Sequence, residues 1–130
     1  MGHPDTLEAA RLVVPVYSVN VAAVVAVQAA LTDLAFVERY KAEVAESKAL
    51  LYDACARLGL RAWPSAANFV LVNAGVRAEQ LARGAAARGV YLRDRSKEAG
   101  LEGCLRVVAG IVAHTKRCID VFEEVLCGAE

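Results

Sequence analysis

The chain predicts an α+β fold, a small antiparallel or mixed sheet of about four short strands packed with helices. Three observations lead there. Up to Gly59 the apolar residues recur at helical spacing. After Gly59 the pattern breaks into short β-branched runs, and Ala-rich helical stretches separate those runs. Helices first, then strands interleaved with helices, describe a layer domain whose sheet is covered on one face. At 130 residues the chain has the size of one domain.

Asp5 to Val13 reads as a short helix that Pro15 ends or kinks. Ser18 or Asn20 then caps a helix from Val21 to Leu31. Its valines cover more than one stripe, so contacts on several sides are expected. Thr32-Asp33 breaks the chain and caps a long amphipathic helix reaching about Leu58. Val37, Tyr40, Val44, Leu51, Cys55 and Leu58 share its inner face, and Gly59 stops it. Strands follow at Leu60 to Trp63, Asn68 to Asn73, Val90 to Arg93 and Cys104 to Ala109. Between them, Val76 to Arg88 is an Ala-rich helix weakened by Gly84 and closed by Gly89. Val112 to Leu126 is the last helix, with Thr115, Cys118, Ile119, Phe122, Val125 and Leu126 facing inward.

Fifteen basic and fifteen acidic residues cancel, which leaves no electrostatic footprint for nucleic acid. The hydrophobic fraction, 57%, exceeds the roughly 45–50% of ordinary globular chains. That excess suggests apolar surface meant for another chain or domain. Cys55, Cys104, Cys118 and Cys127 show no C-x-x-C and no zinc spacing with His3 or His114, so they read as buried thiols and no metal is expected. The opening residues lack the basic-then-apolar order of a secretory signal. Leu12 to Leu31 approaches the length of a membrane span, but Pro15, Ser18, Asn20 and Gln28 interrupt it, so a soluble chain is expected.

The chemistry concentrates in two arginines, Arg93 and Arg106, each in a strand-like run. In the Cys104–Ala109 strand, alternation sends Cys104, Arg106 and Val108 to one face and Leu105, Val107 and Ala109 to the other. An arginine among apolar neighbours needs either a sheet margin or an anionic partner. That partner is a structural carboxylate of this chain or a bound carboxylate or phosphate, which the planar guanidinium fork suits. Arg95 reads as solvated. No group qualifies as a nucleophile or general base. Ser65, Ser96 and Thr115 lack the surroundings of a nucleophile elbow, and His114 has no carboxylate to orient it. Lys41, Lys48, Lys97 and Lys116 stand among polar residues, without the apolar setting that activates a Schiff-base lysine.

At these residues the chain resembles a known family. Val90-Tyr91-Leu92-Arg93-Asp94-Arg95-Ser96-Lys97, with Gly100-Leu101-Glu102-Gly103-Cys104-Leu105-Arg106-Val107, resembles the C-terminal part of histidinol-phosphate aminotransferases, pyridoxal-phosphate enzymes of class I/II. Pro15-Val16-Tyr17-Ser18-Val19-Asn20 is similar to the family's turn into the small domain, and Ala66 to Val72 to its A-N-F/Y strand. Val16, Ser18 and Ile111 depart from the residues common there. The resemblance implies that residues 1–130 form the C-terminal small domain of a fold-type-I aminotransferase, without the large cofactor-binding domain. It implies that Arg106 binds the substrate α-carboxylate and that Arg93 helps hold the phosphate or carboxylate end. It also implies amino-group transfer between histidinol phosphate and 2-oxoglutarate with pyridoxal phosphate as cofactor. The Schiff-base lysine would lie outside this chain, which alone is expected to be inactive, with no catalytic or cofactor-binding residue of its own. A homodimeric whole enzyme is implied, cytoplasmic, or plastidial in a photosynthetic eukaryote, with no nucleic-acid or membrane partner. Two alternatives stay open: a related enzyme such as a threonine-phosphate decarboxylase, and a free-standing α+β module that binds a small anion or a protein.

Overall fold

The computed structural model describes residues 3–11 and 19–128. The chain divides into two compact units, Met1–Val37 and Glu38–Glu130. In the first, α1 spans Pro4–Arg11 and α2 spans Val21–Thr32. Asn20 caps α2, its Oδ1 accepting from the Ala22 N–H at 2.8 Å. The other candidate cap, Ser18, lies outside the described residues, as do Val13, Pro15, Val16 and Tyr17. The expectation of contacts on several sides of α2 is not met. No residue of α2 is buried, and Val21 is 78% exposed. Its composition asks for burial, but α1 is equally exposed and carries Asp5, Glu8 and Arg11. No single described helix is long and apolar enough to cross a membrane.

Asp33 starts α3 (Leu34–Arg57) as expected, its Oδ1 accepting from the Phe36 N–H at 2.9 Å. Gly59 ends the turn after it at φ +64°, a left-handed conformation that costs glycine least. Burial along α3 begins at Ser47, whose hydroxyl donates to the Gly110 carbonyl at 2.8 Å, and continues through Leu51, Ala54 and Cys55. Tyr40, expected on the inner face, is exposed.

Four strands form one antiparallel sheet: β1 (Arg61–Ala62), β2 (Phe69–Asn73), β3 (Arg93–Asp94) and β4 (Cys104–Val108), in the order β1-β2-β4-β3. The long β-branched strands, β2 and β4, occupy the centre, where both neighbours can satisfy their backbone groups. Strand β3 is shorter and later than the Val90 to Arg93 run that sequence suggests. The Val90 N–H donates to the Ala85 carbonyl at the end of α4 (Ala78–Ala87), and pairing with β4 begins at Arg93. Val90 and Leu92 instead pack on the core.

One face of the sheet is covered. Val70, Val72, Leu105 and Val107 are at most 2% exposed and join Leu51 of α3, Leu81 of α4, and Val121 and Phe122 of α5 (Val112–Cys127) in one core. Burying Phe122 fully is worth about 1.5–3 kcal/mol. Gly84, read from sequence as a weak point of α4, is a contact point. A Cβ there would meet Val125 Cγ1 of α5 at 2.7 Å, so glycine lets the two helices approach.

Candidate functional site

The opposite face of the sheet carries the arginines, Arg106 on β4 and Arg93 on β3. Arg106 stands at the middle of β4, opposite Leu71 on β2 and opposite Arg93 on β3. Directly opposed residues of an antiparallel pair share a face, with Cβ atoms about 4.5–5.5 Å apart. Two like charges in that relation are destabilising. A resident carboxylate would relieve the repulsion, yet no ion pair among the described residues includes either arginine. The structural salt bridge that sequence left open for Arg106 is therefore absent among the described residues.

Arg106 is half-buried, whereas Arg93 is exposed. The Arg106 guanidinium carbon lies 5.1 Å from the centre of the Phe69 ring, and its Nε is buried without a hydrogen-bond partner. Buried N–H donors almost always have partners, so an unpaired one on a charged group marks a place for an acceptor. Phe69 belongs to the same face, pairing in register with Val108 two residues along from Arg106. On β1, Arg61 lies 4.7 Å from the centre of the Trp63 ring, a second stacked arginine with no carboxylate partner among the described residues. Arg95, expected to be solvated, instead pairs with Glu98 three residues on.

The loop before β4 is held in place by its own hydrogen bonds. Asn73 Nδ2 donates to the Glu102 carbonyl at 2.8 Å, and the Ala74 N–H donates to the Gly103 carbonyl at 2.9 Å. Gly103 has φ +72°, and a Cβ there would meet Gly75 Cα at 2.7 Å. Glycine is required on both counts. The Glu102 carboxylate accepts the Gly100 N–H at 3.1 Å, and backbone donors from Glu102 and Gly100 hold its carboxyl below the usual range. The loop also covers Cys104, which is 2% exposed although it points toward the open face.

Sequence reasoning placed Arg93 and Arg106 in neighbouring strands, and the structure pairs them directly. It did not single out Phe69, Arg61 or Trp63 as parts of the face. Alternation along each strand is legible, but which residue of β2 lies beside Arg106 depends on register. No lysine belongs to this face. Lys41 pairs with Glu38 at 2.9 Å, Lys48 Nζ donates to the Ser65 carbonyl at 2.8 Å, and Lys97 and Lys116 are exposed on a loop and on α5. His114 is exposed in the first turn of α5.

Comparison with known proteins shows the family to which this fold belongs. Residues 3–122 match the family model described as aminotransferase class I and II. A histidinol-phosphate aminotransferase of Symbiobacterium thermophilum is 42% identical over 110 residues, covering 85% of this chain and 30% of that protein. One from Rhodospirillum centenum is 35% identical over 128 residues, covering 96% of this chain and 35% of its own length. The crystal structure of histidinol-phosphate aminotransferase from Sinorhizobium meliloti, in complex with pyridoxal-5'-phosphate, superposes with a TM-score of 0.76 at 25% identity. The match covers 98% of this chain and 35% of that one. The chain thus spans about a third of the length of these relatives. On the family model, the relatives and the fold together, the chain belongs to the class I and II aminotransferases.

Proposed function

We propose that this chain is the C-terminal small domain of a histidinol-phosphate transaminase and supplies the anion grip for its substrates. The observation that carries this reading is the direct opposition of Arg93 and Arg106, with no carboxylate among the described residues paired to either. Both substrates bring the anion that such a face lacks. 2-Oxoglutarate and its amino product carry carboxylates, and histidinol phosphate carries a phosphate ester. Arg106 takes the α-carboxylate with its bidentate fork, and Arg93, more exposed and at the sheet edge, holds the phosphate or second carboxylate.

The residues present do not fit pyridoxal phosphate. The cofactor of this family needs a lysine for its Schiff base, and none of the four lysines shares the arginine face. The cofactor lysine is therefore assigned to residues beyond this segment, in the two thirds of its relatives' length that the chain does not match. The whole enzyme, in this reading, is a homodimer with a separate large domain.

Two measurements test the proposal. Titrating the ¹⁵N-labelled chain with 2-oxoglutarate should shift the Nε–Hε signal of Arg106 saturably, and Arg106→Leu should remove the binding. Reduction with borohydride in the presence of pyridoxal phosphate should leave no stoichiometric lysine adduct. An adduct at one lysine would overturn the assignment of the cofactor lysine elsewhere.

A further inference from the structure

Arg106 raises a question that its charge alone does not answer: what keeps the guanidinium in place when no anion is bound? An arginine side chain has many rotamers, and ordering it on ligand binding costs affinity. A carboxylate neighbour would hold it but would also compete with the substrate. Arg106 has no such neighbour among the described residues, and it has an aromatic ring instead.

We infer that Phe69 is the positioning residue for Arg106, holding the guanidinium by a cation–π contact that leaves its hydrogen-bonding edge free for the substrate anion. The contact distance is 5.1 Å from the guanidinium carbon to the ring centre, within the range of about 6 Å over which such pairs attract. Stacking engages the flat face of the guanidinium, whereas its N–H donors radiate in its plane. The unpartnered, buried Nε fits this division: the ring accompanies the cation without satisfying its donors. Register fixes the arrangement. Phe69 pairs with Val108 and Leu71 with Arg106, so the ring lies two pairs along the central β2–β4 ladder and on the arginine's own face. Arg93, opposite Arg106 on the edge strand β3, has no ring contact among the described residues and is exposed, which makes it the internal reference for an unpositioned arginine.

The inference rests on the reading of Arg106 as an anion grip, and its test separates the two. In the ligand-free chain, the Arg106 Hε signal should lie upfield of Arg93 Hε through the ring current of Phe69. Phe69→Leu and Phe69→Met should both abolish that offset and weaken 2-oxoglutarate binding about two- to fivefold, the range expected for one exposed cation–π contact. Phe69→Tyr should keep the offset and bind within twofold of the parent. Amide spectra confirm that each variant is folded, and two non-aromatic replacements guard against one failing to fold. Unchanged offset and affinity in Phe69→Leu or Phe69→Met, or equal losses in Phe69→Tyr, would overturn the role of the ring. If Arg106 of the parent ignores 2-oxoglutarate, the anion grip fails. The ligand-free offset still decides for or against the ring.

Discussion

On the helix-covered face of the sheet, Val70, Val72, Leu105 and Val107 are sealed to 2% exposure or less. On the opposite face of the same strands, Phe69, Leu71 and Arg106 are half-buried and Val108 is 62% exposed. The covered face is continuous apolar packing in which each side chain supports its neighbours. The open face sets two arginines against each other, stacks two arginines on aromatic rings and leaves one guanidinium nitrogen unsatisfied. A chain under selection for stability alone has no reason to keep that arrangement, since like charges in direct opposition lower stability. On the proposed function, one face serves stability and the other serves ligand binding.

Substitutions on the two faces should therefore differ in kind, and the largest effect belongs to the covered side. Leu105→Ala, at 0% exposure, should cost about 2–5 kcal/mol in urea unfolding. Leu71→Ala, one strand over on the open face, should cost about 1 kcal/mol because part of its surface already meets water. Equal losses would break the comparison.

The covered side also holds two protected thiols. Burial pushes the Cys55 thiol up to about 11, and burial with the neighbouring Cys55 pushes Cys118 up to about 12. Both exceed the ordinary value of 9.0, so the unfolded chain ionises first. Stability from these groups is complete below about pH 9 and falls as pH climbs toward 11 and 12. At pH 8, iodoacetamide should modify the exposed Cys127 and spare Cys55 and Cys118 until denaturant is added.

A smaller and stabilising change lies at the start of α5, where the N-cap position is Ile111 and no side chain caps the helix. Ile111→Ser should raise stability by about 1 kcal/mol, read as a shift in the urea midpoint. The smallest effect on stability should come from the site itself. Arg106→Leu removes the charge opposed to Arg93 and the unsatisfied Nε, so the unfolding free energy should stay within about 0.5 kcal/mol or rise, while anion binding is lost. A loss of several kcal/mol would mean that Arg106 is a structural residue after all.

Much of this was legible from residue pattern, for reasons that are local. The caps at Asn20 and Asp33 and the stop at Gly59 depend on side chains within a few residues of the backbone they serve. The facing of Leu105, Val107 and Ala109 away from Arg106 follows from the period of a strand. Where the sequence misled, the deciding contact was distant. The run Val90 to Leu92 has strand composition, yet the end of α4 holds the Val90 N–H and the core takes the side chains of Val90 and Leu92. Gly84 reads as a flaw in a helix until α5 is packed against it. The apolar composition of α2 suggests burial, yet none of its residues is buried among the described residues.

Residue pattern alone puts two arginines in strand-like runs among apolar neighbours, thirteen positions apart, with no activated lysine or nucleophile beside them. It also carried the family resemblance, because those positions and their spacing are local facts. It takes the folded sheet to set Arg93 directly opposite Arg106, with neither paired to an acid among the described residues, and to put Phe69 under the guanidinium of Arg106. Strand register sets all three. A one-residue slip would turn every side chain to the other face, and register comes from the packing of the covered face against its helices.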